Sequence, residues 1–233
     1  MKNQGSVVLL SGGMDSTTAF YKALDETDVR MTISFDYGQR HKIELEYAKR
    51  LSEDQGVQNV VVDITSVGKL LQGSALSDPT VEVPDGHYAE ETMKQTIVPN
   101  RNMIMLSQAI GVAIGIEAQQ VWAAMHGGDH FIYPDCRPEF INHMNLIIPV
   151  ATETMVKIVA PFINISKADI VQVGTALGVP YNDTWSCYKG GRVHCGRCGT
   201  CVERAEAFYL ANIDDPTLYK DPDYWKEAVE AHG

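Results

Sequence analysis

Leu9-Leu10-Ser11-Gly12-Gly13-Met14-Asp15-Ser16-Thr17-Thr18, directly after the apolar run that begins at Val7, decides the fold of this chain. An apolar strand ends at Ser11, and Gly12 and Gly13 let the backbone turn sharply. The turn should open a helix through Ala19, Phe20 and Leu24, capped by Asp15 or Ser16. Such a turn aims free backbone N–H groups and the positive end of a helix dipole at one spot, which suits a phosphate. Ser11, Ser16 and Thr17 add hydroxyl donors. No Lys follows the glycines, so this is not the Gly-x4-Gly-Lys-Ser/Thr loop of Walker-type nucleotide-binding proteins.

Outward from this turn, strand and helix alternate. Arg30 to Phe35 reads as a second strand ending at Asp36-Tyr37-Gly38, and a helical pattern from Ile43 through Leu51 stops near Gly56. Asn59 to Ile64 is a third strand, with Val60, Val61 and Val62 at its heart. The βαβαβ order implies a doubly wound parallel sheet with right-handed crossovers. Residues 68–95 have weak periodicity and read as a long loop or lid. Met103 to Gln119 reads as an apolar helix whose Ala109, Gly111, Ala113 and Gly115 suit close packing on a sheet. Val121 to Met125 and Lys157 to Ala160 are expected as the fourth and fifth strands, with a helix from Pro138 that Pro149 breaks. Ser166-Lys167-Ala168-Asp169 makes a near capping box, and Gly178 and Pro180 end that helix. Ligands of such sheets bind at the carboxyl ends of the strands, where Asp36, Asp63 and the run from His126 to Asp129 and His130 fall. Those two histidines invite a metal hypothesis, but they lack helical i, i+4 spacing.

The 233 residues suffice for one large α/β domain with a modest appendage, here residues 1–180 and 181–233. The formal charge of −11 argues against a protein whose main business is gripping nucleic acid, because that grip needs clustered Lys and Arg. No apolar run approaches the ~20 residues of a membrane span, and no secretory signal is visible, so the cytoplasm is the expected location.

Cys187, Cys195, Cys198 and Cys201 form a Cys-x7-Cys-x2-Cys-x2-Cys cluster, with Gly196 and Gly199 permitting tight bends. Four sulfur ligands are the signature of a closed structural Zn2+ site. An iron–sulfur cluster would also accept four thiolates, disulfides run against a cytosolic setting, and a Cys198–Cys201 redox pair lacks a thioredoxin-like context. His194 is a substitute ligand in principle, although it reads better as a surface residue. Zinc would supply folding free energy to a tail with little apolar content.

The Ser-Gly-Gly-x-Asp-Ser pattern resembles the pyrophosphate-binding loop of the PP-loop ATP pyrophosphatases, adenine nucleotide alpha hydrolase-like proteins with a Rossmann-like sheet. The wider motif set resembles one family among them, the 7-cyano-7-deazaguanine synthases of the queuosine pathway. It consists of Ser11 to Thr18, Phe35 to His41, Val98-Pro99-Asn100-Arg101-Asn102, Tyr133-Pro134-Asp135-Cys136-Arg137-Pro138-Glu139-Phe140, Thr184 to Tyr188 and the cysteine tail. One departure is Phe131-Ile132, where many members carry Ser-Gly. The resemblance implies that ATP adenylates 7-carboxy-7-deazaguanine, ammonia displaces AMP to give an amide, and a second adenylation yields the nitrile; the alternatives are a PP-loop enzyme adenylating a related deazapurine or other carboxylate, or a tRNA-thiolating one. It implies ATP contacts from Leu10, Ser11, Gly12, Gly13, Met14, Asp15, Ser16, Thr17, Thr18 and Asp36. It gives catalytic roles to Ser16, Asp15, Arg101 and Arg137, and substrate contacts to Arg101, Asp135 and Arg137. Gln39, Arg40 and His41 would lie near the adenine and ribose. Asp15 reads either as an Mg2+ ligand or as a helix cap, and Arg101, Asp135 and Arg137 either as ligands of the substrate or as structural ion pairs. Cys136 reads as a packing residue. The resemblance further implies a homodimer, for which Met144 to Val150 offers an interface unless it is a core helix.

Overall fold

The computed structural model describes residues 4–71, 73–78, 80–89, 93–129 and 131–231. Its strands are β1 (Gly5–Leu9), β2 (Asp28–Asp36), β3 (Asn59–Asp63), β4 (Gln120–Trp122) and β5 (Lys157–Val159). They form a parallel sheet in the order β3-β2-β1-β4-β5. The helices among the described residues are α1 (Met14–Glu26), α2 (Ile43–Asp54), the single turn α3 (Thr65–Gly68), α4 (Arg101–Gly115), α5 (Pro138–Thr152), α6 (Lys167–Ala176), α7 (Gly199–Leu210) and α8 (Tyr224–Glu230). This is the doubly wound α/β class expected. Its strand order reverses between β1 and β4, which opens a crevice at their carboxyl ends.

Helices cover both faces of the sheet, so β1 is apolar throughout. Successive side chains leave it in opposite directions. Val7 packs with Leu106, Ala109 and Ala113 of α4, whereas Val8 and Leu10 pack with Phe20 and Ala23 of α1 and Ala48 of α2. None of the helices among the described residues is long and apolar enough to cross a membrane.

Several boundaries differ from those read in the sequence. The helix expected from Met103 begins at Arg101, where the backbone of Asn100 turns left-handed (φ 58°) and Asp135 Oδ2 accepts from Asn102 N at 3.2 Å. Of the small residues on α4, Ala109 and Ala113 are fully buried, but a Cβ at Gly111 or Gly115 would meet nothing, so those glycines do not serve packing. Pro149 does not break α5, because it falls in the last turn, where little of the hydrogen-bond ladder remains to be lost. The helix at Ser166 has its complete capping box.

The stretch read as a loop or lid runs, in its described residues, mostly without regular structure between α3 and a 3-10 turn at Lys94–Thr96, and it is tied down. Leu76 O accepts from Arg40 N at 2.8 Å, Gln95 O from Ala75 N at 2.6 Å, and Arg197 O from Gly86 N at 2.9 Å. Its contact with Arg197 joins it to the cysteine segment. That segment in turn meets the glycine turn, as Trp185 N donates to Gly12 O at 2.8 Å.

Candidate active site and cysteine centre

A cavity of about 250 Å³ lies at the carboxyl ends of β1, β2 and β4. Ser11, Gly13, Met14, Asp15 and Ser16 line its head. Gly12 stands just behind them at φ +82°, where a Cβ would lie 2.4 Å from the carbonyl oxygen of Glu44. The loop therefore lies directly on the backbone of α2, and no larger residue would fit there. The helix cap is Gly13, with no side-chain cap bond, and not Asp15 or Ser16 as expected. Ser16 Oγ instead donates back to Gly13 O at 3.1 Å and contacts Ser11 Oγ at 2.9 Å. Thr17 Oγ1 also donates to Gly13 O, and Thr18 Oγ1 donates to Met14 O. Thr17 and Thr18 are fully buried and stand behind the loop, so they shape it and do not line the cavity. The first N–H groups of a helix have no intrahelical partner, and with no side-chain cap they stay available to an anion.

One wall carries a charged cluster from four elements. Asp15 Oδ2 lies 3.2 Å from Lys167 Nζ, and Lys167 also pairs with Glu203. Burial pulls the Lys167 ammonium down, but Asp15, Glu203 and Asp129 outweigh it and hold the group well above the ordinary lysine range. His126 Nδ1 accepts from Gly128 N at 3.1 Å, which leaves the proton on Nε2, 3.4 Å from Asp129 Oδ2. Tyr88 donates to Asp129 Oδ1 at 2.9 Å. Asp15 Oδ1 is buried without a hydrogen-bond partner. Asp15 is thus not a helix cap but half of an ion pair with one carboxylate oxygen spare. His126 and Asp129 do not join a three-ligand metal group among the described residues, and His130 lies outside them.

The opposite wall is aromatic and cationic. Arg101, from the first turn of α4, lies 6.0 Å from the ring centroid of Tyr37, and no carboxylate among the described residues is within ion-pair distance of it. Tyr188 stacks on His41 with ring centroids 5.1 Å apart. Burial, with Arg101 and Arg40 nearby, lowers His41 to about 3, so its imidazole is neutral. Glu44 Oε1 accepts from Gln39 Nε2 at 2.9 Å, and burial pushes this carboxyl up to about 8.

Three residues expected at the ligand stand elsewhere. Asp36 turns away from the cavity, accepting from Gly38 N at 2.9 Å and pairing with Lys42 at 2.8 Å. Asp135 is spent on the amino end of α4. Arg137 is exposed at the cap of α5, outside the cavity lining. Arg40 is likewise structural, donating to the carbonyls of Asp78 and Val81. Cys136 does line the cavity, yet burial and the nearby Asp129 and Asp135 push its thiol up, away from nucleophile chemistry. Tyr188 stood in the sequence reading only as the end of the Thr184 to Tyr188 motif, and Lys167, Glu44 and Tyr88 escaped it as site residues. Of these only Lys167 carried a local signal, as the residue after a helix cap.

Cys187, Cys195, Cys198 and Cys201 bring their sulfurs within 4.8 Å of one another, all unbridged. The Cys195 and Cys201 sulfurs are 3.9 Å apart. Four sulfurs at 2.3 Å around a single tetrahedral ion would be separated by about 3.8 Å, whereas a disulfide needs about 2.05 Å. A four-iron cluster puts each thiolate on a different iron and spreads the sulfurs farther. Backbone N–H groups of Arg197 and Cys198 point at the Cys195 sulfur at 3.3 and 3.2 Å, which favours its thiolate. The residues therefore fit one thiophilic ion. His194 is neither a ligand nor a surface residue. It is buried on the Trp185 ring (centroids 4.3 Å apart), and its Nε2 accepts from Ser186 N at 3.0 Å. Burial lowers it to about 4, in keeping with a neutral acceptor.

Comparison with known proteins agrees with this geometry. Residues 5–212 match the family model described as "Queuosine biosynthesis protein QueC". A 7-cyano-7-deazaguanine synthase of Brucella anthropi is 54% identical, over 97% of this chain and 97% of its own. One from Rhizobium johnstonii is 53% identical with the same coverage. Among solved structures, the U34-tRNA thiolase NcsA of Methanococcus maripaludis covers all of this chain and 72% of its own, with a TM-score of 0.51 at 14% identity, a likeness of fold alone. With nine-tenths of its length matched and a glycine loop, cavity and cysteine cluster that agree, the chain belongs to the QueC family of queuosine biosynthesis proteins.

Proposed function

We propose that the protein converts 7-carboxy-7-deazaguanine and ammonia to 7-cyano-7-deazaguanine, spending ATP twice and releasing AMP and pyrophosphate each time, as a ligase forming carbon–nitrogen bonds. The observation that carries this reading is the uncapped amino end of α1, opening with Asp15 and Ser16 into a cavity that also holds Arg101, which has no carboxylate partner among the described residues. A carboxylate is a poor electrophile because its oxygens leave badly, and transfer to AMP makes one a good leaving group. Attack on the α-phosphate brings like charges together, so fixed donors must offset the repulsion. The N–H groups of residues 14–16 and Lys167 supply them at the phosphate end. Arg101 would grip the substrate carboxylate as a bidentate fork. Mg2+ arriving with ATP would share in offsetting that charge, and the spare Oδ1 of Asp15 is the oxygen suited to meet it. In this reading residues 1–180 hold the nucleotide, while 181–233 hold Zn2+ and close the cavity with Trp185, Ser186 and Tyr188. The exposed apolar face of α5 would pair two copies into a homodimer.

The test is incubation of zinc-loaded protein with ATP, ammonium and 7-carboxy-7-deazaguanine, with products followed by mass. AMP and the nitrile are expected. Well-folded protein that yields neither would overturn the reading.

A further inference from the structure

We propose that Glu44 is the catalytic base for ammonia: its carboxylate binds the incoming ammonium ion in the cavity and takes one proton from it. This rests on the function proposed above. Among the described residues, three carboxyl groups line the cavity, those of Asp15, Glu44 and Asp129. Asp15 is committed to Lys167, and Asp129 to Tyr88 and His126. Glu44 has no ion-pair partner of fixed charge among the described residues. Gln39 Nε2 lies 2.9 Å from Oε1, and His41 Nε2 3.4 Å from Oε2. Gln39 is itself fixed, donating to Phe35 O and accepting from Tyr37 N, both at 2.9 Å. A carboxyl held in place by neutral donors, with no ion-pair partner among the described residues, is a receptor for a small cation, and the arriving cation favours its ionised form. Its backbone also abuts the phosphate loop, through the close approach of the Glu44 carbonyl to Gly12. That brings it beside the place where an adenylated carboxyl would stand.

The groups facing Glu44 suit a base. Arg101 favours its anion, but burial prevails, while His41 and the Tyr37 phenol remain uncharged at neutral pH. An ordinary carboxylate is too weak a base for ammonium, and one raised to about 8 is far better matched to it. In the step, the carboxylate removes a proton from NH4+, giving the carboxylic acid and NH3. The nitrogen lone pair forms the C–N bond to the acyl carbon. The C–O bond to the phosphate breaks and its electron pair leaves on AMP. The surplus proton on nitrogen goes to water, and Glu44 then returns its own proton to solvent.

The experiment compares wild type with Glu44→Gln and Glu44→Asp in three assays, with zinc content and circular dichroism as checks of folding. The first is pyrophosphate–ATP exchange driven by 7-carboxy-7-deazaguanine, which reads adenylation alone. The second is amide formation from ammonium, and the third is hydroxamate formation from hydroxylamine, which is already unprotonated at neutral pH. Glu44→Gln should keep exchange and hydroxamate formation within a few-fold while losing about 100-fold in ammonium-dependent amide formation. That loss should shrink as rising pH supplies free ammonia, and Glu44→Asp should be intermediate. Amide formation near the wild-type rate in Glu44→Gln overturns the proposal. So does an equal loss in all three assays with the fold intact, which would make Glu44 a substrate-binding group. Absence of exchange in the wild type would instead sink the function on which the proposal rests.

Discussion

Ser16 concentrates the shape of the phosphate loop in one hydroxyl. Its Oγ meets Ser11 N at 3.2 Å, Ser11 Oγ at 2.9 Å and Gly13 O at 3.1 Å, so it ties both sides of the turn together. Ser16→Ala should loosen the loop and misplace its N–H groups against the charged phosphates, lowering nitrile formation by about 10- to 100-fold, since a hydrogen bond to a charged group is worth about 1.5–3 kcal/mol. Metal analysis should find zinc unchanged, and unimpaired turnover would remove Ser16 from the site. Glu44 yields a second expectation, in stability. In the ligand-free fold, with no ammonium to favour the anion, its carboxyl is protonated up to about pH 8, but it ionises near 4.3 in the unfolded chain. Between those values the folded state holds the extra proton, so this group's contribution falls as pH rises. Melting of ligand-free Glu44→Gln should therefore occur about 5 °C above wild type at pH 8.5, with the gap closing near pH 4. A gap independent of pH would contradict the buried carboxyl. Ser16 was legible in the sequence because the whole loop is contiguous. Glu44 and Lys167 were not, because they reach the cavity from α2 and α6, and Glu203 pairs with Lys167 from α7 behind the lining; each reads locally as an ordinary helical residue. Beside their motifs, Asp36 serves a turn, Asp135 the start of α4, and Arg137 stands exposed ahead of α5, so their places depend on local geometry that a motif does not show.

At the level of elements, the cysteine segment is both staple and wall. Cys198 is the cap residue of α7, and Trp185, only 2% exposed, donates its indole N–H to Cys187 O at 2.9 Å. Loss of the ion would free the segment that presents Trp185, Ser186 and Tyr188 to the cavity. Cys198→Ser should reduce bound zinc and yield, and a strong chelator should shift tryptophan emission to the red as Trp185 meets water. Equal zinc in Cys198→Ser and Ser16→Ala would contradict the structural role. This element announced itself through spacing alone, because four thiolates on one ion constrain sequence tightly. The ends of α4 and α5 were less legible. The start of α4 depends on a carboxylate 33 positions away in the chain, at Asp135, and Pro149 was harmless only because α5 had almost ended.

For the molecule as a whole, α5 presents two apolar faces. Met144 and Ile148 are buried against the domain, while Leu146, Ile147 and Val150 are 70%, 51% and 78% exposed, and Met155 just beyond is 76% exposed. Read as sequence, Met144 to Val150 was either interface or core; the helix buries one face of it in the domain and leaves the other exposed. Scattered apolar residues on a surface need no explanation, whereas a contiguous row of this kind supports the proposed homodimer. In the proposed homodimer a two-fold axis would lay each α5 against its mate, so every substitution appears twice in the interface. Leu146→Glu combined with Val150→Glu would then set like charges against one another across the axis. Light scattering should find two chains per particle for the wild type and one for the double variant. The cavity is built from a single chain, so turnover per chain should stay within about twofold, by the usual independence of distant sites. Wild-type protein that runs as a single chain at assay concentration would overturn the dimer and leave the apolar row on α5 without a partner.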